Sequence, residues 1–113
     1  MAYGKLVLTL PPTALTATLT TNVYNNTSAL IYDKIEHIHV VNKTSSAATF
    51  SLWIGATGAN AAGTEWFSAQ SVPANSVYDW FGILKLVSTQ FIVGGASANT
   101  TLTIMIEGEQ FVV

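Results

Sequence analysis

The chain has 113 residues, no cysteine, no arginine and a formal net charge of −2. That length suits a single domain with a single core, and the lack of cysteine excludes a disulfide framework, a thiolate zinc site and a cysteine nucleophile. Only 9 % of residues are charged, against about 25 % in an average soluble domain, and the four scattered lysines (Lys5, Lys34, Lys43, Lys85) exclude the cation cluster that a nucleic-acid backbone requires.

Alternation of apolar and polar residues, rich in β-branched and aromatic types, predicts strands throughout. Residues 4–10 place Leu6, Leu8 and Leu10 on one face, and Pro11 and Pro12 are expected to end that strand. Residues 13–20 alternate Leu15, Ala17 and Leu19 with threonines and read as a half-buried strand. The segment NVYNNTS reads as a turn with Asn25 and Asn26 at its tip. Residues 29–42 read as a strand, a bend near Asp33 and Lys34, and a longer strand whose two faces are hard to tell apart.

Asn42 to Ser46 form a polar turn. Residues 48–54 set Phe50, Leu52 and Ile54 against Thr49, Ser51 and Trp53, and are expected to form a hairpin with the preceding strand. Residues 55–64 are a Gly- and Ala-rich loop, and 65–70 a short strand. VPANS at 72–76 is a turn, with Asn75 suited to left-handed geometry. Residues 77–87 are a strand with an irregularity at Gly82. Residues 90–93 follow, then the turn GGASANT. Residues 100–107 turn Leu102, Ile104 and Ile106 inward, and 108–113 extend that strand.

Eight to ten short strands with turn signals every eight to twelve residues predict one all-β, antiparallel two-sheet sandwich over residues 1–113. A jelly-roll-like arrangement is the first choice and an immunoglobulin-like sandwich the alternative. Residues 1–12 are a candidate N-terminal arm and the apolar end, Phe111 included, a candidate C-terminal one. The opening residues do not read as a signal peptide, and no stretch approaches the roughly 20 apolar residues of a membrane helix. The expectation is a chain made in a cytoplasm that stays soluble or joins a particle, with no nucleic-acid or membrane partner.

Few residues suggest chemistry. His37 and His39, at i and i+2 of a strand, share a face and could chelate one metal. Glu36 would face away and no third ligand stands out, so no metal or other cofactor is expected. The pair would bind an ion only if copies met on a symmetry axis. Glu107 and Glu109 share a strand face as well, and are read as solvated. No GxSxG elbow or phosphate-binding loop is present, so no catalytic residue is assigned. A small hydrolase using Glu107 or His37 is the enzyme alternative. The sequons at Asn25, Asn26, Asn42 and Asn99 fit surface turns.

Weak surface charge and conspicuous aromatics point instead to subunit contacts. Assembly interfaces are depleted in charge because each buried ion must be desolvated, and Trp and Tyr dominate interface hot spots. Trp53, Trp66, Trp80, Tyr78 and Phe111 are the interface candidates. Trp53, Trp66 or Trp80 stacking on a sugar ring is the carbohydrate-binding alternative.

Two segments carry a resemblance: IEHIHVVNKTSSAATFSLWIGATG at 35–58 and LKLVSTQFIVGGASANTTLTIMIEGE at 84–109, with VPANSVYDW between them. In that order they resemble the small β-sandwich virion proteins of tailed bacteriophages. The resemblance spans residues 35–113 and implies a non-enzymatic structural subunit of the virion. The roles it implies are a capsid decoration (cement) protein, a head-spike base, or a tail- or fibre-associated protein. It also implies a homotrimer, with the major capsid protein or other virion proteins as partners. Such proteins share no catalytic residues to carry over.

Overall fold

The computed structural model describes residues 5–25 and 28–112, with side chains from residue 10 onward. Seven of the eight strands form where the alternation predicts them, and the order is β1 (Lys5–Ala14), β2 (Asn22–Tyr24), β3 (Ile31–Asn42), β4 (Ala48–Gly55), β5 (Glu65–Val72), β6 (Ser76–Leu86), β7 (Phe91–Ala96) and β8 (Leu102–Val112). Among the described residues no helix forms.

Strand β1 pairs with β8, β2 with β7, β3 with β6 and β4 with β5, all antiparallel. The chain is therefore one long hairpin, its tip between β4 and β5, rolled so that its strands divide between two sheets. Pairings of β3 with β8 and of β4 with β7 close the roll. Sheet A has the order β1-β8-β3-β6 and sheet B the order β2-β7-β4-β5. This is a jelly roll, not the immunoglobulin-like alternative.

The core lies between the sheets. Ile35, Ile38, Val40, Ile104 and Ile106 from sheet A meet Phe50, Leu52, Val72 and Ile92 from sheet B, all buried. Phe67, Trp66, Tyr78 and Trp80 continue it toward the β5–β6 side. Each fully buried aliphatic side chain contributes about 1.5–3 kcal/mol.

Several expectations need correction. Pro11 and Pro12 do not end β1, which runs on to Ala14. β1 is the outer strand of sheet A, where a missing N–H costs no ladder bond, and its register with β8 shifts on both sides of Leu10. Residues 5–12, the candidate arm, thus pair along β8. Residues 13–20 are not a half-buried strand. After Ala14 the chain crosses between sheets as a loop, with Leu15 buried but Ala17 and Leu19 exposed. The loop's carbonyls at Thr16 and Thr21 accept bonds from the Ala96 and Gly94 amides.

Asn22–Tyr24 is a strand on β7 rather than a turn. Residues 1–4, Asn26, Thr27 and Val113 lie outside the described residues, as do the side chains of Leu6 and Leu8. Gly94 and Gly95 belong to β7, not to the following turn. A Cβ on Gly94 would fall 2.0 Å from the Ser51 carbonyl oxygen, and one on Gly95 would fall 2.3 Å from that of Thr16. Here glycine marks close backbone approach inside a strand rather than a turn. Asn75 has φ 52, as the turn reading required.

β3 and β4 lie in opposite sheets, so no hairpin joins them. No bend breaks β3 at Asp33 and Lys34 either; the strand is continuous and Asp33 is fully buried. Its carboxylate accepts bonds from the Tyr24 hydroxyl and the Gln110 amide, both at 2.8 Å. Burial and then the Asp33 carboxylate push the Tyr24 phenol well above its ordinary range. The irregularity of β3 falls at Glu36. Between Ile35 and His37 the register shifts against both neighbours: against β8, Glu36 is the extra residue of a bulge, whereas against β6 the extra residue lies on β6, at Gly82–Ile83, where the sequence placed an irregularity.

Asn42, expected in a surface turn, is 1 % exposed. Its amide nitrogen donates to the carbonyls of Ser46 (2.9 Å) and Val72 (3.0 Å), and its oxygen accepts from the Thr44 amide (2.9 Å). Truncation strands these groups, and each unsatisfied buried polar atom costs about 1–3 kcal/mol. Asn42→Ala is expected to lose about 2–4 kcal/mol in urea unfolding followed by Trp fluorescence, and Thr44→Val clearly less. A loss below about 0.5 kcal/mol for Asn42→Ala would show that the amide does not hold this link between the sheets.

Candidate functional site

The bulge decides which β3 residues reach solvent. In a regular strand Ile35 and Ile38 would point to opposite faces, because side chains alternate with a period of two. The extra residue sends both inward, and His37 and His39 outward. Glu36, expected opposite the histidines, is half-buried at the bulge itself. The β8 backbone accommodates the kink through Gly108, where a Cβ would fall 2.0 Å from the Lys34 carbonyl oxygen.

On the outer face of sheet A, His37 lies in register between Glu107 on β8 and Phe81 on β6, and His39 between Met105 and Asp79. His37 Nδ1 is 2.7 Å from Glu107 Oε1, and its Nε2 is 2.7 Å from Asp79 Oδ1. The same Asp79 oxygen accepts from His39 Nδ1 at 2.6 Å. Phe81 lies flat over the His37 ring, centroids 4.5 Å apart and planes 6° from parallel.

A neutral imidazole has one N–H, so its other nitrogen would turn a lone pair toward a carboxylate. A carboxylate at each ring nitrogen therefore favours the imidazolium form of His37, which can donate to both. Burial alone would lower its pKa, but the bonds to Glu107 and Asp79 outweigh that and hold it above 6.5. Bonds from His39 and His37 in turn hold the Asp79 carboxyl below its ordinary 3.8. The cation under Phe81 also meets the negative face of that ring.

The sequence pairing of His37 with His39 therefore stands, and the structure adds Asp79, Glu107 and Phe81. Glu107 is a partner of His37 rather than only a solvated carboxylate. Glu109 pairs with Lys34 at 3.9 Å and partial exposure, an ion pair worth little. Asp79 and Phe81 gave no sequence signal of their own, since only the β3–β6 register brings them beside the histidines.

The aromatic candidates occupy three places. Trp66, Tyr78 and Trp80 pack against the protein's own core, Trp66 and Trp80 edge to face at 5.1 Å. The Trp80 indole crosses Gly82, where the strand irregularity was expected. Trp53 is half-buried on the outer face of sheet B. Phe111 stacks on Tyr32 at 5.2 Å on the outer face of sheet A, and the Lys85 ammonium sits 4.7 Å from the Tyr32 ring centre. The most exposed large apolar side chains of that sheet are Phe81 and Ile83, 73 % and 74 % exposed.

Sheet B presents a different exterior. A groove of about 320 Å³ runs between the crossing loop and strands β4, β5 and β7, lined by Ala17, Leu19, Thr49, Ser51, Ala69 and Ser97 with the β7 backbone. None of these side chains titrates. No helix among the described residues is long and apolar enough to cross a membrane. Comparison with known protein families and with curated proteins gives no match.

The two shifted groups set a pH window. A raised His37 pKa stabilises fully below pH 6.5, and that contribution fades as pH rises through the folded value. A lowered Asp79 pKa stabilises fully above pH 3.8, and fades as pH falls through its folded value. Stability from this cluster is thus greatest between about pH 4 and 6.5. In chelator-treated buffer the wild-type urea midpoint should fall between pH 6.5 and 8.5, and His37→Gln should flatten that fall. An identical slope in both proteins would contradict the paired imidazolium.

Proposed function

We propose that the protein is a non-enzymatic structural subunit of a tailed-bacteriophage particle, made in the host cytoplasm and incorporated as a capsid decoration (cement) protein. The observation that carries the subunit reading is strand β6. It is an outer strand of sheet A, eleven residues long, and it turns Val77, Phe81 and Ile83 outward. A long edge strand with apolar side chains invites pairing with another chain unless something covers it. Its only outward charges are Asp79, already shared by two histidines, and Lys85 over Tyr32.

Charge distribution supports the same reading. Eight of the ten charged residues lie in strands of sheet A: Lys5, Asp33, Lys34, Glu36, Asp79, Lys85, Glu107 and Glu109. The strands of sheet B contain only Glu65, so its outer face can be buried with little ionic desolvation. The phage assignment rests on the resemblance of residues 35–58 and 84–109 to virion proteins, and the trimer on the same resemblance. A tail- or fibre-associated position would use the same surfaces. On a shell of many copies, modest contacts of this kind add through multivalency.

Light scattering over a dilution series tests the reading. The wild type is expected to hold the mass of a trimer or larger ring on dilution, and Ile83→Asp to fall to monomer with an unchanged circular dichroism spectrum. Co-sedimentation with capsids would then separate decoration from tail attachment. A wild type that is monomeric at every concentration would overturn the self-assembling subunit and promote glycan binding at Trp53.

A further inference from the structure

We infer that His37, His39 and Asp79 form a binding site for one divalent transition-metal ion per chain, with zinc as the reference ion. The sequence pairs the two histidines but offers no third ligand. The β3–β6 register supplies it, because His39 stands opposite Asp79 and His37 one pair further along. One ligand atom from each of the three residues lies within 4.8 Å of the other two. Two imidazoles and one carboxylate are a donor set for zinc and related ions, with a coordination position left for water or a neighbour.

Glu107 provides a second, independent observation. Metal-bound histidines characteristically donate their other ring N–H to a carboxylate, which fixes the tautomer and aims the free nitrogen at the ion. Glu107 Oε1 stands 2.7 Å from His37 Nδ1, leaving Nε2 turned toward Asp79 and His39. Phe81 stacked on His37 fixes the ring plane from one side. The site sits on paired strands rather than loops, so its ligands are held by the sheet ladder.

In the metal-free arrangement, protons occupy the place of the ion. The two imidazole nitrogens meet Asp79 Oδ1 at 2.7 and 2.6 Å. Around zinc, with bonds near 2.0–2.1 Å, neighbouring donor atoms stand about 3.3 Å apart. Rotation of Asp79, whose side chain is 33 % exposed on an outer strand, opens these two distances by roughly that difference. Hard ions that demand six or more oxygens, such as Mg²⁺ and Ca²⁺, do not suit two imidazoles.

Isothermal titration of chelator-stripped, full-length protein with ZnCl₂ tests the site, with MgCl₂ as the comparison ion. The wild type is expected to bind one Zn²⁺ per chain at micromolar or tighter affinity and no Mg²⁺. His39→Ala and Asp79→Asn are each expected to weaken zinc binding by more than 100-fold, and Glu107→Gln by about 10–100-fold. Cobalt substitution should give the visible absorption of a low-coordinate nitrogen–oxygen site, lost in His39→Ala. Circular dichroism checks that each variant is folded, and the wild-type titration stands whether or not they are. Wild-type binding weaker than millimolar, or zinc binding that survives both ligand substitutions, would overturn the site.

Discussion

The outer face of sheet A depends on one extra residue in one strand. Ile35 and Ile38 are three positions apart and both fully buried, which a regular strand cannot achieve. Glu36 absorbs the mismatch as a bulge, and Gly108 lets the β8 backbone pass under it. The same parity change keeps Asp33 and Ile35 inside before the bulge, and Ile38, Val40 and Asn42 inside after it. Core packing and the exposed histidine cluster are therefore one constraint seen from two sides. Without the bulge, either the core would lose its aliphatic row or the histidines would be driven into it.

The roll places very different surfaces back to back. Sheet A concentrates the chain's few charges, pairs most of them locally, and leaves Phe81 and Ile83 bare at its outer strand. Sheet B shows hydroxyls, small residues and Trp53. A polar but uncharged exterior of this kind costs little to desolvate, and the side chains around its groove are short enough for another backbone to approach closely. Both properties suit the proposed subunit, whose faces would be covered in an assembly.

Much of the fold was legible from residue pattern. Alternation located seven of the eight strands, and the even spacing of turns pointed to a rolled sandwich. The failures have physical causes. Thr-rich alternation at 13–20 matched a strand, but that segment must cross between sheets, and its carbonyls serve the ends of β7 instead. Gly94 and Gly95 looked like turn residues although crossing backbone leaves no room for a Cβ at either. The unclear faces of residues 29–42 were the signature of the bulge, since no single period fits a strand that changes parity. The site was half legible for the same reason. His37 and His39 are neighbours in sequence, whereas Asp79 and Glu107 become neighbours only once β6 and β8 flank β3.

Comparing two single-residue deletions in β3 by urea denaturation is the most direct test of this account. Deleting Glu36 removes the extra residue and leaves Ile35 and Ile38 two positions apart, so every β3 side chain keeps its face in a regular strand. Deleting His39 keeps the bulge residue but sets Ile38 beside Val40, so one of these two fully buried residues must leave the core or the register with β6 and β8 must slip. The account predicts that the His39 deletion costs more than about 3 kcal/mol, or folding itself, and the Glu36 deletion at least about 1.5 kcal/mol less. Equal losses, or a larger loss for the Glu36 deletion, would contradict it, because the faces of β3 would then be independent of the bulge.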